Sequence, residues 1–344
     1  MFMSQTFFAT NDPLTVKAWH EKLWRDIKLD SYFSKFMSTS GTSIVHELTE
    51  LAKGKGDEVT VGLRLKLQGG GQESYDGEIT LEGREENLQF RDFKLRLSEV
   101  GHAVRGKNPM AQQRVFFAID EESRAAILDW ATEKVDADIF RALYETDATK
   151  AFYGGNASTK NAIKVNDKIT PMMLSKAKTW AQTDKRLLGG DEMPIRPVKV
   201  GGRNYYVVLL HPHQIFDLKQ DSTFQQWMRE AEARGKENPL FTGAVGMVDG
   251  LVIHEHERVK IGSDAGSTTN IPYAEGVLLG AQALCYAWGK DKPTVRPKAF
   301  DYGRKVNYAV DWIRGVKKTQ FKYDGTNPKD FAAVSLITAR TDLS

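Results

Sequence analysis

Residues 110–144 read MAQQRVFFAIDEESRAAILDWATEKVDADIFRALY, and whether they form one helix decides the fold. Leu128, Ala131, Val135, Ile139 and Leu143 recur at spacings of three and four, the apolar stripe of an α-helix. Ile127, Trp130, Ala137, Phe140 and Tyr144 widen that stripe on one side. Asp129, Glu133, Lys134, Asp136 and Arg141 are expected on a wet face. Asp120, Glu121, Glu122 and Ser123 are acidic and capping types that suit a helix N-terminus, leaving Val115–Ile119 as an extended lead-in. No Gly or Pro interrupts the pattern, and its length exceeds the ~11–12 residues of an average helix. It reads as a stiff spine, not as a site.

Upstream lies the clearest period-two pattern. Val59, Val61, Leu63, Leu65 and Leu67 alternate with Thr60, Gly62, Arg64, Lys66 and Gln68, as in a half-buried strand. Gly69, Gly70 and Gly71 break it, Gln72–Gly77 make a polar tip, and Leu88, Phe90, Phe93, Leu95 and Leu97 supply a returning strand. Residues 58–100 are thus expected to form a long two-stranded hairpin. Such a ribbon is marginal alone in water, so it must lie on its own domain or on a neighbouring chain. Residues 1–57 look like an arm, either an ordinary N-terminal subdomain or an extended segment that lies on other subunits. Val16, Trp19, Leu23, Trp24 and Ile27 predict a short amphipathic helix, and Ile44, Val45, Leu48 and Leu51 a second one, with turns at Ser38–Thr42 and Lys53–Gly56.

Downstream of the spine, 146–166 reads as a polar connection. Thr170 and Pro171 start a helix running to Gln182, a cap followed by Pro in the first turn. Then come 194–200, the turn Gly201-Gly202, a buried strand 205–210, short helices 212–218 and 221–234, a glycine-rich loop 238–250 and a strand 251–259. This alternation reads as an α/β lobe. Residues 276–288 fit helix or strand, and the separation of small from large residues favours strand. Val306, Tyr308, Val310 and Trp312 share one face of a further strand, followed by strands at 316–323 and 331–339.

Composition narrows the function. In 344 residues, 48 Lys and Arg nearly balance 45 Asp and Glu, interspersed and without the basic stripe of a nucleic-acid binder. Cys285 is the single cysteine, which excludes disulfide frameworks and cysteine-based zinc sites. Met1–Pro13 lacks the pattern of a signal peptide, and no apolar run approaches the ~18 residues of a membrane span, so a soluble protein made in a reducing compartment is expected.

The sharpest local constellation is His254-Glu255-His256-Glu257. In a strand the two imidazoles share a face, and with His211 or His213 they could ligate a divalent metal. Spacing identifies only two ligands where three or four are needed, so polar strand residues are the stronger reading. Gly69–Gly71, Gly189-Gly190 and Gly201-Gly202 lack the phosphate-loop pattern and read as turns. Cys285 sits among apolar residues and reads as packing. Lys317-Lys318 and Arg296–Lys305 read as solvated basic patches. No catalytic, cofactor-binding or metal residues are assigned, and nothing calls for an enzyme.

Several stretches carry a family resemblance. They are Met110-Ala111-Gln112-Gln113-Arg114, Tyr205-Tyr206-Val207-Val208 running into His211-Pro212, Arg234 to Ala244, Gly250 to His256, and Leu278-Leu279-Gly280-Ala281-Gln282-Ala283. In order and rough spacing these resemble the tailed-phage major capsid proteins of the Hong Kong 97 type, most specifically those of the phage N-four group. The resemblance implies an α+β capsid fold: an N-terminal arm (1–57), an extended hairpin loop (58–100), a peripheral domain (101–160, closed by strands in 291–344) and an axial domain (161–290). It further implies self-assembly into the hexamers and pentamers of an icosahedral shell around double-stranded DNA. Partners would be copies of itself, with scaffold, portal and decoration proteins, only weak contact with packaged DNA, and no membrane. The site of action would be the virion, after synthesis in the host bacterial cytoplasm. Two departures stand out: the arm is short for a cleaved scaffold-like extension, and the tip Gln72–Gly77 has no Lys for the covalent cross-link of some relatives. A metal-dependent enzyme using His254 and His256, and another virion or scaffold-binding oligomer, are the competing expectations.

Overall fold

The structure, a computed structural model, describes residues 31–49, 56–65, 85–105, 119–185, 193–231, 244–267, 270–289, 294–302, 305–322 and 327–342, with positions 67, 82, 110, 113 and 114. The helix expected around Trp19 and Trp24, the hairpin tip, the lead-in 115–118 and Gly189-Gly190 lie outside them. Helices are α1, Ile119–Tyr144; α2, Pro171–Gln182; α3, Pro212–Lys219; and α4, Ser222–Ala231.

The spine is one unbroken helix, with Glu121 and Glu122 in its first turn, where the helix dipole favours carboxylates. Ile127, Ala131, Val135, Ile139, Phe140 and Leu143 are buried as the spacing requires, while Asp129, Glu133 and Arg141 are exposed. Asp136 departs from expectation. It is buried, as is Asp138, because the second half of α1 is enclosed on three sides and leaves Ala137 and Arg141 nearest solvent.

Two sheets flank the spine. The first has the strand order Met37–Ser38, Val45–Leu48, Leu284–Trp288, Lys305–Lys318, Thr294–Phe300, with Ser98–Val104 also paired to Lys305–Lys318. The second has the order Ala151–Tyr153, Ala333–Ala339, Ile271–Leu279, Arg203–Leu210, Leu251–Glu255, Ala244–Val248, with Lys260–Ala265 and Val198–Val200 at its margins. The helix lies along the 14-residue strand Lys305–Lys318, where Trp130 and Trp312 meet edge-on at 5.7 Å. Its last residue reaches the second sheet, the Tyr144 hydroxyl donating to the Glu275 carbonyl at 2.8 Å.

Several expectations change. Residues 45–48 form a strand parallel to 284–288, not a helix, because β-branched Ile44 and Val45 meet an open edge of buried strand there. The connection 146–166 contains the strand Ala151–Tyr153, and the loop 238–250 contains Ala244–Val248, which turns at Asp249-Gly250 into Leu251–Glu255. The strand 251–259 stops at Glu255. Residues 276–288 resolve into two strands joined at 280–283. A division at residue 290 does not follow the hydrogen bonding: Leu284–Trp288 pairs with Lys305–Lys318, whereas Ala333–Ala339 pairs with Ile271–Leu279. Helix α2 starts as expected, Thr170 Oγ1 accepting from Met173 N at 3.3 Å with Pro171 at the first position.

Asp138 binds the spine to the first sheet. Arg314 donates to its Oδ2 through Nε at 2.7 Å and Nη2 at 2.6 Å, and Arg141 and Lys134 each stand 3.0 Å from Oδ1. Breaking such a buried pair from one side leaves an uncompensated charge, at a cost of about 3–5 kcal/mol. Asp138→Asn and Arg314→Met should each lower subunit stability in urea by an amount of that order. The double change Asp138→Leu with Arg314→Met should recover most of it; equal losses in singles and double would show that the pair is not the cause.

Candidate functional site

The chemistry-bearing residues singled out in the sequence do not converge. The His254 side chain is fully buried, its ring 5.2 Å from that of Phe36 and 6.3 Å from Tyr32. His256, just past the strand, sits 4.4 Å from Phe140 and 4.5 Å from Tyr32. Burial pushes its imidazole down, opposed by Asp136. His211 and His213 form a different cluster, 5.0 Å apart at the start of α3. Among the described residues no group of three His, Cys, Asp or Glu side chains could hold a metal. Cys285 is buried with Sγ 3.4 Å from Thr319 Oγ1, and burial pushes its thiol up, away from nucleophilic use.

The basic patches divide. Lys318 is not solvated surface: it is buried 3.0 Å from Asp330, whose carboxylate also accepts from Gln320 Nε2 and Thr149 N. Arg296 pairs with Asp311 at 3.0 Å, and Lys298 with Phe300 and Tyr302 forms an exposed hairpin end.

What the fold does assemble is a set of attachments. Asp136 accepts from Ser31 Oγ at 2.6 Å, Tyr32 N at 2.8 Å and Phe33 N at 3.2 Å. One carboxylate of the spine therefore caps the turn Tyr32–Phe36 and fixes the point where the arm meets the body. Phe33 and Phe36 then bury themselves against Phe140 and His254. Neither Asp136 nor Asp138 was read as buried from sequence. A signal existed for the latter: continuing the alternation Tyr308, Val310, Trp312 puts Arg314 on the buried face, and a buried arginine requires a carboxylate.

The hairpin is the second attachment. Glu58–Arg64 and Phe90–Arg96 pair in continuous register, Glu58 opposite Arg96 and Arg64 opposite Phe90. Its base lies on its own chain: Val59, Phe93 and Leu95 are buried, Phe93 meets Phe321 at 6.0 Å, and a Cβ at Gly315 would stand 2.6 Å from the Arg96 carbonyl. Further out, Leu67, Leu88 and Phe90 are 59%, 56% and 61% exposed, and Phe90 lies with Asp92 and Lys94 on the face opposite Phe93 and Leu95.

A buried base and an exposed apolar far end describe a subunit built to be completed by others. Comparison with known proteins agrees: the profile of the phage capsid protein family matches residues 7–168 and 149–341. The chain belongs to the phage capsid protein family. It is 28% identical to the major capsid protein of Pseudomonas phage KPP25, over 96% of each chain. The capsid structure of Ralstonia phage GP4 superposes with a TM-score of 0.81 at 28% identity, covering 99% of this chain and 100% of that one. The capsid of Helicobacter pylori bacteriophage KHP30 shares the fold, with a TM-score of 0.69 at 19% identity over 90% and 92% of the two chains. This capsid protein is a phage major capsid protein with a Hong Kong 97-like α+β fold, and its place is the virion. The comparisons do not support the competing enzyme reading of His254 and His256.

In the capsid protein the second histidine pair acts as a clasp for the last described strand. His211 Nδ1 accepts from His213 N at 3.2 Å as the cap of α3, His213 Nδ1 lies 2.9 Å from the Thr341 carbonyl oxygen, and Asp217 accepts from Thr341 N at 2.9 Å. Burial first, then His213 and Arg340, push the His211 imidazole down to about 4, with Glu257 opposing. A histidine depressed below its unfolded value near 6.5 binds fewer protons folded than unfolded between those pH values. Its contribution is therefore intact above about 6.5 and is lost as pH falls towards 4. Thermal unfolding of His211→Asn, which keeps a cap but does not titrate, should fall less steeply than the parent over that window. Parallel profiles would reject the clasp as an acid-sensitive element.

Proposed function

We propose that this capsid protein forms the hexamers and pentamers of an icosahedral shell around double-stranded DNA, each subunit laying its hairpin on a neighbour. The supporting observation is the burial gradient along the hairpin. Val59, Phe93 and Leu95 on one face are covered by the subunit itself, while Phe90 on the opposite face, and Leu88 and Leu67 farther out, are exposed large apolar side chains of the kind an interface takes up. Burying these side chains at about 25 cal/mol per Å2 contributes modestly per subunit, but the contact repeats at every copy of a closed shell.

The two sheets support a division of labour. The six-stranded sheet with α1 is the peripheral domain, and the eight-stranded sheet with α2, α3 and α4 is the axial domain that gathers around the hexamer and pentamer centres. The near-balance of 48 basic and 45 acidic residues suits a shell that must release its genome, since each neutralised phosphate adds salt-dependent affinity. Scaffold, portal and decoration proteins are the further partners of this reading, and the host bacterial cytoplasm is where the subunit is made.

The test separates folding from assembly. Leu88→Ser with Phe90→Ser should leave the stability of the free subunit within about 0.5 kcal/mol of the parent, as expected at exposed positions. Electron micrographs of the expressed protein should then show few or no closed shells. Phe93→Ser, at a buried position, should instead destabilise the subunit itself by about 3 kcal/mol or more. Normal shells from the Leu88/Phe90 variant would remove the hairpin from the assembly contact.

A further inference from the structure

The C-terminal half of the spine carries an open cleft. Beside its last two turns, next to the bend that follows Leu251–Glu255, lies a cleft of about 430 Å3. Ala137, Phe140 and Tyr144 form its floor, and Arg141, Glu145, Arg258 and Lys260 its rim. Each rim cation already faces a carboxylate: Arg141 is 3.0 Å from Asp138, Lys260 3.2 Å from Glu275, and Arg258 3.8 Å from Glu133. A partly neutralised cationic rim over an apolar floor suits an aromatic side chain better than a free anion, because guanidinium and ammonium groups attract indole faces.

The described chain begins next to this cleft. Ser31 and Tyr32 are bound to Asp136, one helical turn before Phe140, and the Tyr32 ring touches His256, whose other neighbour is Phe140. Thirty residues precede Ser31, and among them Val16, Trp19, Leu23, Trp24 and Ile27 fall on one face of a helix. Reach is sufficient. Three residues separate Ile27 from Ser31, and the four Cα-to-Cα steps span at most about 14 Å of extended chain. Asp136 and Tyr144 are about 12 Å apart along the helix axis, and a helix from Val16 to Ile27 is about 18 Å long. So short a tether gives the segment an effective concentration on the order of millimolar at its own cleft, far above that of another copy in dilute solution.

We propose that residues 16–27 of the same chain dock in this cleft as an amphipathic helix antiparallel to the spine. Trp24 lies towards Ala137 and Phe140, Trp19 towards Tyr144 and Lys260, and the arm thereby covers two indoles and the spine surface in the free subunit.

Engineered cysteine pairs test both the site and the direction, with buried Cys285 the only native thiol. In dilute unassembled subunit, Ile27→Cys with Ala137→Cys, and Val16→Cys with Glu145→Cys, should each oxidise to an intrachain disulfide of monomer mobility. The crossed pair, Val16→Cys with Ala137→Cys, should form it about tenfold less, since its sites lie a helix length apart in the docked arrangement. Dimer-sized products alone would give the cleft to another copy's arm and overturn the proposal. Absence of disulfide in the matched pairs, or equal yields in matched and crossed pairs, would overturn it too. Independently, Ala137→Arg, which fills the cleft from a half-exposed position, should speed trypsin cleavage after Lys17, Lys22, Arg25 and Lys28 by about tenfold or more, because cutting follows the undocked population. Unchanged cleavage in a folded Ala137→Arg subunit would refute docking, and should that variant fail to fold, the cysteine pairs still decide.

Discussion

Asp138 is a carboxylate in the half of the spine that protein surrounds, and Arg314 answers it with two hydrogen bonds from the long strand Lys305–Lys318. The rest of the structure depends on that contact. The same guanidinium donates to Ser98 Oγ, at the point where the chain leaves the hairpin and enters the first sheet. Helix, sheet and hairpin exit are thereby held in one register. An apolar pair of the same volume could stabilise the fold as well, so the gain from the buried charges is specificity of position. A subunit that repeats many times in one shell needs that specificity more than it needs extra stability.

Around this centre the attachments are graded. Lys318, Asp330, Gln320 and Thr149 make a second buried polar knot that ties the end of the long strand to the strand Pro328–Asp330 and the loop after the spine. Asp136 holds the start of the described chain by two backbone amides and one hydroxyl, and the rings of Phe33 and Phe36 pack behind it. Among the described residues the hairpin is held along one face, from Val59 to Leu65 and at Phe93 and Leu95. Rigid body, anchored arm and half-covered ribbon thus follow from where buried carboxylates and buried rings occur, and they match what a capsid subunit must do: keep its shape while its outer parts find partners.

Much of this was legible in residue order. The spine, the two hairpin strands, the start of α2, the Gly201-Gly202 turn, the strand 205–210 and the alternation through Trp312 follow from local periodicity and turn chemistry, whereas the long strand runs on unbroken to Lys318 where a separate strand from 316 is expected. Where an element is enclosed on nearly every side, that rule loses its contrast. Asp136 was placed in water because charged residues on a helix usually are, and its three donors come from residues more than 100 positions away. Residues 45–48 look helical by composition and become a strand because an edge of buried strand is waiting for them.

By itself, then, the sequence determined which segments are amphipathic and with what period, the near-neutral charge, the lack of a cysteine framework and the family resemblance. Only the tertiary structure decided that the histidines belong to two separate packing clusters, that two aspartates of the spine are buried, and that the hairpin buries Val59, Phe93 and Leu95 while Phe90 faces away from them. The physical reason is the same in each case. Periodicity is a local property of the chain, whereas burial and the partner of a buried charge are set by contacts between residues far apart in sequence, which no local pattern encodes.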